Sequence, residues 1–172
     1  VGMGIVINGS LYVGARGAAG EVSFLPAAEG DAVPPDVRQR GMTEAVTSAA
    51  GVTHAAVEAG LELGSAKEVF AAAAGGDPRA RAVVDAEGRR IGGLIAAVAA
   101  VLDPELVVLG GGVGRNVELL GDAITARIAE LGPLRPQIVA SALGDSGVLH
   151  GAVARALEVA RDRVFERRSQ GA

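Results

Sequence analysis

Two carboxylates and one glycine turn mark where this sequence could do chemistry. Glu21 follows Gly17-Ala18-Ala19-Gly20 at the start of a short β-rich run, and Glu44 lies near the start of a helix after Arg40-Gly41. Carboxylates that converge on a cleft hold sugar hydroxyls by accepting paired hydrogen bonds. An acid in a first turn also favours the helix dipole, and for Glu44 the sequence leaves both readings open. Gly110-Gly111-Gly112 ends the apolar run Leu106–Leu109, shortly before a helix. Glycine there lets the backbone approach a ligand, and a helix N-terminus offers N–H groups to a phosphate or ribose; a tight strand-to-helix turn accounts for the same residues. His54 and His150 have no partner at metal-ligand or triad spacing and are assigned structural or surface roles. The chain has no cysteine, which excludes disulfides, thiolate zinc sites and cysteine nucleophiles.

The elements that must position these groups follow from periodicity and turn chemistry. Val1–Ile7 reads as a strand, Asn8-Gly9 as a hairpin turn, Ser10–Val13 as the return strand and Glu21–Leu25 as a third, giving an antiparallel meander. Pro26 to Arg40, with Pro34-Pro35 and several charges, reads as a surface loop. A short helix is predicted over Thr43–Ala50, and a second, capped by Thr53, through Leu63. Ser65 and Glu68 form a capping box for Ala66–Ala74, and Asp77-Pro78 opens a long helix to about Leu102. Gly88, Gly92 and Gly93 lower the propensity of that helix and imply that a neighbouring backbone passes close by; its Ile91–Leu102 stretch reads as buried core. Leu106–Leu109 has the pattern of a strand buried on both faces. Asn116 is placed to cap a helix to Leu131, Pro136–Ala142 reads as a strand, and a last helix runs from about Ser146 to Phe165. The Arg161, Arg163, Arg167 and Arg168 cluster suits the negative end of its dipole. The fold class is α/β, a mixed sheet of antiparallel meander plus parallel strands, flanked by helices.

Composition narrows the function. Of 172 residues, 49% are hydrophobic and 21% charged, which excludes intrinsic disorder. Aromatics make up 2% and the formal charge is −4, so neither a base-stacking platform nor a basic nucleic-acid surface is available. No apolar run reaches 18 residues and no signal peptide is visible, so no membrane contact and a cytoplasmic location are expected. The chain opens Val1-Gly2-Met3-Gly4 inside what reads as a strand, and it is expected to be part of a longer protein.

Five ordered blocks resemble the C-terminal half of ROK proteins, the bacterial repressors and sugar kinases with an actin-like, ribonuclease H-like fold. They are GMGIVINGSLYVGARGAAGEV, GMTEAVTSAAGV, VFAAAAGGDPRARAVV, LDPELVVLGGGV and SGVLHGAVARALEVA, and together they span almost the whole chain. The resemblance implies that residues 1–172 form the C-terminal lobe. It implies that Glu21 in Ala19-Gly20-Glu21 and Glu44 are sugar ligands, that Gly110, Gly111 and Gly112 resemble the adenosine-side loop, and that Gly2 and Gly4 resemble the remains of a phosphate-binding turn.

The departures from the family shape the expected function. Where the family carries a zinc-ligating, sugar-contacting histidine, this chain has Phe24, and near Pro35, Val37 and Met42 the three zinc cysteines are missing. No metal site and no catalytic residue are therefore assigned; the family's general base lies in the half that this chain does not include. The expected function is the sugar-sensing and oligomerising lobe of a ROK transcriptional regulator. The alternative is half of an ATP-dependent, glucokinase-like hexose kinase, and only there would ATP and magnesium be cofactors. Expected partners are a sugar or sugar phosphate and further copies of the protein, with DNA bound only through a separate N-terminal domain.

Overall fold

The computed structural model describes residues 1–26 and 35–170. Asn8 and Gly9 both take positive φ, 51° and 76°, the combination that a type I′ turn needs. They join β1 (Ile5–Ile7) to β2 (Ser10–Tyr12) in an antiparallel hairpin with Ile5 opposite Tyr12 and Ile7 opposite Ser10. The third run does not extend this meander. Val22–Phe24 winds into a 3-10 turn. Val22 and Ser23 are buried side by side, whereas a strand would send one of two consecutive side chains to the opposite face.

Helix boundaries follow local hydrogen bonding. The expected loop 26–40 ends in a short helix, α1 (Pro35–Arg40), while its residues 27–34 lie outside the described residues. α2 (Met42–Thr47) and α3 (Ala49–Glu58) meet at Ser48, whose hydroxyl accepts from the Gly51 N–H at 3.3 Å and caps α3. Thr53, the expected cap, instead sits inside α3 and donates to the Ala49 carbonyl at 2.9 Å. Ser65 caps α4 (Ala66–Ala74) by accepting from the Glu68 N–H, and the Glu68 carboxylate answers by accepting from Gly64 N–H at 2.9 Å. This is the expected capping box with its return leg moved by one residue. Asp77 caps α5 (Pro78–Leu102) through the N–H groups of Arg79 and Ala80, and these donors hold its carboxyl below the ordinary range.

α5 is the axis of the core. Val84, Ile91 and Ile95 pack with Val52 of α3, Val69 and Phe70 of α4, and Leu120, Ile124 and Ile128 of α7 (Val117–Leu131). Gly88 and Gly92 do lie where a neighbouring backbone passes: a Cβ on Gly92 would fall 2.7 Å from the Ile124 carbonyl oxygen. Gly93 differs, because a Cβ there would meet nothing within 4 Å. The second half of α5 is not buried all round. Ile91, Ile95 and Ala99 face the core, while Val101, on the opposite side of the helix, is 81% exposed.

After α5, β3 (Leu106–Leu109) leads through a one-turn helix, α6 (Gly111–Gly114), into α7. β4 (Gln137–Ala140) pairs with β3 in parallel, Leu106 opposite Gln137 and Leu109 opposite Ala140, as the β-α-β order requires. β3 is not buried on both faces. Val107 and Leu109 pack on the core, but Leu106 and Val108 are exposed. The described strands thus form two separate two-stranded sheets. α8 (Gly147–Gln170) closes the chain with Leu149, Val153 and Leu157 exposed along one side. Among the described residues no helix is long and apolar enough to cross a membrane.

Candidate functional site

The 3-10 turn that carries Glu21 is clamped from both sides. Gly20 has φ of 91°, and a Cβ there would lie 1.8 Å from the Met3 carbonyl oxygen, so only glycine lets the two segments touch. The Met3 N–H donates to the Gly20 carbonyl at 2.9 Å. On the other side Gly41, with φ of 98°, brings its Cα against the Ser23 carbonyl. The buried Thr43 hydroxyl donates to the Leu25 carbonyl at 2.8 Å, and the Thr47 hydroxyl donates to the Thr43 carbonyl at 2.7 Å. The turn is thereby fixed to the first turn of α2, which carries Glu44.

Glu21 is exposed and Glu44 half-buried. Both flank the Val1–Met3 segment: Met3 pairs beside Glu21, and the Val1 backbone nitrogen lies against the Glu44 carboxylate. A cleft of about 910 Å³ opens alongside, between β1, the second half of α5 and β3. Val22 and Thr47 line it, each on the element that carries one of the glutamates; Glu21 and Glu44 themselves do not. The cleft's lining includes Gly2, Gly4, Ile91, Ile95, Val108 and Gly114, so its walls are mainly apolar.

Of the glycine turn, Gly110 to Gly112 stands just outside the cleft lining, which takes in Leu109, Val113 and Gly114. A Cβ on Gly111 or Gly112 would meet nothing within 4 Å, so space lies in front of both. Asn116 occupies the N-cap position of α7, but its side chain does not accept from that helix. Its amide donates backwards to the Gly112 and Val113 carbonyls, both at 2.9 Å, and ties the glycine turn to the start of α7.

Several charged groups elsewhere have structural partners. Arg89 and Arg127 both hold Glu130, Arg89 through two bonds of 2.9 and 2.7 Å, and together they push its carboxyl down to about 2. His54 lies 3.5 Å from Glu58 on the exposed face of α3, and the His150 Nδ1 lies 2.9 Å from the Ser146 carbonyl oxygen. Among the described residues no three His, Cys, Asp or Glu side chains converge as a metal set.

Two elements of this arrangement escaped the sequence reading. The Thr43 latch had a faint signal, a Gly-x-Thr just ahead of an acidic first turn. The fully buried Glu87 had a clear one. It lies four residues after Val83 and four before Ile91, squarely on the buried face of α5.

A family model described as the ROK family matches residues 1–159. The chain belongs to the ROK family. The bifunctional enzyme NanE/NanK of Brucella melitensis biotype 1 is 36% identical over 153 residues, covering 87% of this chain and 27% of that protein. Among solved structures, a ROK family glucokinase from Streptomyces griseus, in complex with glucose and AMPPNP, matches with a TM-score of 0.68 at 26% identity. That match covers 84% of this chain and 53% of the glucokinase. A ROK family transcriptional regulator, homologous to the MLC protein of E. coli, matches with a TM-score of 0.69 at 25% identity, over 81% of this chain and 38% of the regulator. The ROK architecture is the actin-like α/β fold expected from the sequence, and this chain spans about half or less of each of these relatives. The residues here do not fit the zinc ion that the ROK resemblance implies. An exposed phenyl ring, Phe24, stands where a ligand would be, and the chain holds no thiolate.

Proposed function

We propose that this chain is the C-terminal, sugar-gripping lobe of a non-catalytic ROK transcriptional regulator. One observation carries the reading: Phe24, 57% exposed on the turn next to Glu21, replaces the histidine of the family's zinc motif in a chain without cysteine. Loss of that motif removes a polar sugar contact and the metal brace, which a phosphoryl-transfer site, built on exact positioning, tolerates poorly. A sensor needs only differential affinity between two arrangements of its lobes. In this reading Glu21 and Glu44 accept sugar hydroxyls, and the clamp of Gly20, Gly41 and Thr43 passes the strain of binding from the 3-10 turn into α2. Further copies of the protein assemble with it, and DNA is held by a separate domain.

The test is made in the full-length protein. Glu21→Ala and Glu44→Ala each weaken the sugar-dependent change in operator binding by about tenfold or more, the loss of hydrogen bonds to a charged acceptor. Melting temperatures stay near wild type, because neither side chain is core. Normal response in both variants contradicts the proposal. The kinase reading is the second one, favoured by the identity to NanE/NanK and by the match to the glucokinase. In that case Gly110, Gly111 and Gly112 lie against the nucleotide, and the full-length protein releases ADP from ATP and magnesium in the presence of a hexose.

A further inference from the structure

We propose that the cleft between β1 and β3 is a slot for one further β-strand, supplied by the segment of the full-length protein that leads into Val1. Among the described residues β1 pairs only with β2, and β3 only with β4. All three residues of β1 and all four of β3 line the cleft, whereas no residue of β2 or β4 does. The two strands therefore turn their unpaired edges toward the same space. Such an edge is a row of N–H and C=O groups, a template for another strand.

Register fixes which backbone groups face the slot. Across the two-residue turn Asn8-Gly9, Ile7 with Ser10 and Ile5 with Tyr12 are the hydrogen-bonded pairs. The N–H and C=O of Val6 therefore point away from β2. In β3 the Glu105 and Leu109 carbonyls accept from the N–H groups of Gln137 and Ser141, at 2.9 and 2.8 Å. Alternation along the strand then turns the N–H and C=O of Leu106 and Val108 away from β4, toward the cleft.

The side chains suit the same occupant. The floor is the apolar face of α5, with Ile91, Ile95 and Val98, and on the walls Val6, Leu106 and Val108 are exposed. A strand between the edges covers this surface with alternate apolar side chains and takes up the backbone groups with its own. A sugar would find little to bond there. The polar side chains of the lining are those of Asn8, Thr47, Asp103 and Glu105, and the Thr47 hydroxyl is already given to the Thr43 carbonyl.

The origin of the strand follows from the cleft itself. Val1, Gly2, Met3 and Gly4 all line it, so chain leading into Val1 enters beside β1. A Cβ on Gly2 would meet nothing within 4 Å, which leaves room for a tight return. A strand joined by such a turn runs antiparallel to β1. Relatives carry the length for it, since this chain covers 53% of the glucokinase and 38% of the regulator. The four described strands and this one make a single mixed sheet, with the new strand at its centre between β1 and β3.

Amide hydrogen exchange and nuclear Overhauser contacts in the full-length protein test this. The amides of Val6, Leu106 and Val108 are expected to exchange at least about 100-fold more slowly than open amides. Both edges are expected to show contacts to one and the same segment preceding Val1. Exchange at the open rate overturns the slot, and contacts to a second subunit or to another part of the chain overturn the assignment of its occupant. A pair of substitutions reads the same edge independently. Proline is tolerated on a free edge, where its nitrogen faces outward, but not inside a sheet. Val108→Pro is therefore expected to unfold at a clearly lower urea concentration than Val108→Thr, and equal midpoints overturn the slot. Glu21 and Glu44 lie outside the cleft lining, so failure of the sugar reading leaves the strand standing.

Discussion

Gly92→Ala destabilises the protein by about 2 kcal/mol, while Gly93→Ala, one residue on in the same helix, is neutral or stabilises it by up to about 1 kcal/mol. The opposite signs come from packing. A Cβ on Gly92 would sit 2.7 Å from the Ile124 carbonyl oxygen, 2.9 Å from the Arg127 Cβ and 3.2 Å from the Ile124 Cα. Two of these atoms are backbone of α7, so relief requires the helices to separate, and their contact runs the length of the core. Overpacking of this kind costs about 1–3 kcal/mol or more and outweighs the gain in helix propensity from Ala, about 1 kcal/mol. At Gly93 only the propensity gain remains, because a Cβ there meets nothing within 4 Å. Gly88→Ala follows Gly92, with the Ala123 Cβ at 2.8 Å and the Leu120 carbonyl oxygen at 2.9 Å. Urea unfolding of the variants checks the pattern, and equal effects at positions 92 and 93 would refute the close crossing of α5 and α7.

Replacing Glu87 by Gln removes a pH dependence of stability worth about 3 kcal/mol. Glu87 is fully buried on α5, and its Oε1 has no hydrogen-bond partner among the described residues. Arg90, one turn on, reaches its Oε2 at only 3.4 Å. Burial pushes the carboxyl up from its ordinary 4.5 to about 7, and the Arg90 charge and hydrogen bond offset only part of this. The folded chain therefore binds this proton more tightly than the unfolded chain does. The contribution of Glu87 is fully present below pH 4.5, declines as pH rises through 7, and levels off above that. Glu87→Gln cannot ionise, so its stability relative to wild type rises over that same interval. Unfolding free energies measured at pH 4.5, 6 and 8 test this; curves for the two proteins that stay parallel would contradict it.

Much of the fold was legible because its signals are local. Asn8-Gly9, Ser65 with Glu68, and Asp77-Pro78 each specify a turn or cap by their own chemistry, and each forms as expected. Gly88 and Gly92 also spoke clearly, since glycine inside an otherwise strong helix costs propensity and needs a reason in packing. What failed depended on tertiary surroundings. The run Glu21–Leu25 has strand composition, but Gly20 and Gly41 let two segments press on it and wind it into a 3-10 turn. Leu106–Leu109 reads as doubly buried, yet only Val107 and Leu109 find a partner surface. Periodicity reports which residues are apolar and not how many faces are covered. At the candidate site, Glu21, Glu44 and the glycine turn are singled out by residue type and order alone, whereas the Thr43 latch between the Glu21 turn and the Glu44 helix is a long-range contact with no periodic signature.

The most direct test of the account is a crystal structure of the full-length protein with its best-bound hexose. Hydroxyls of that sugar are expected within hydrogen-bond distance of the Glu21 and Glu44 carboxylates. A hexose bound elsewhere, with both carboxylates turned to solvent, would contradict it.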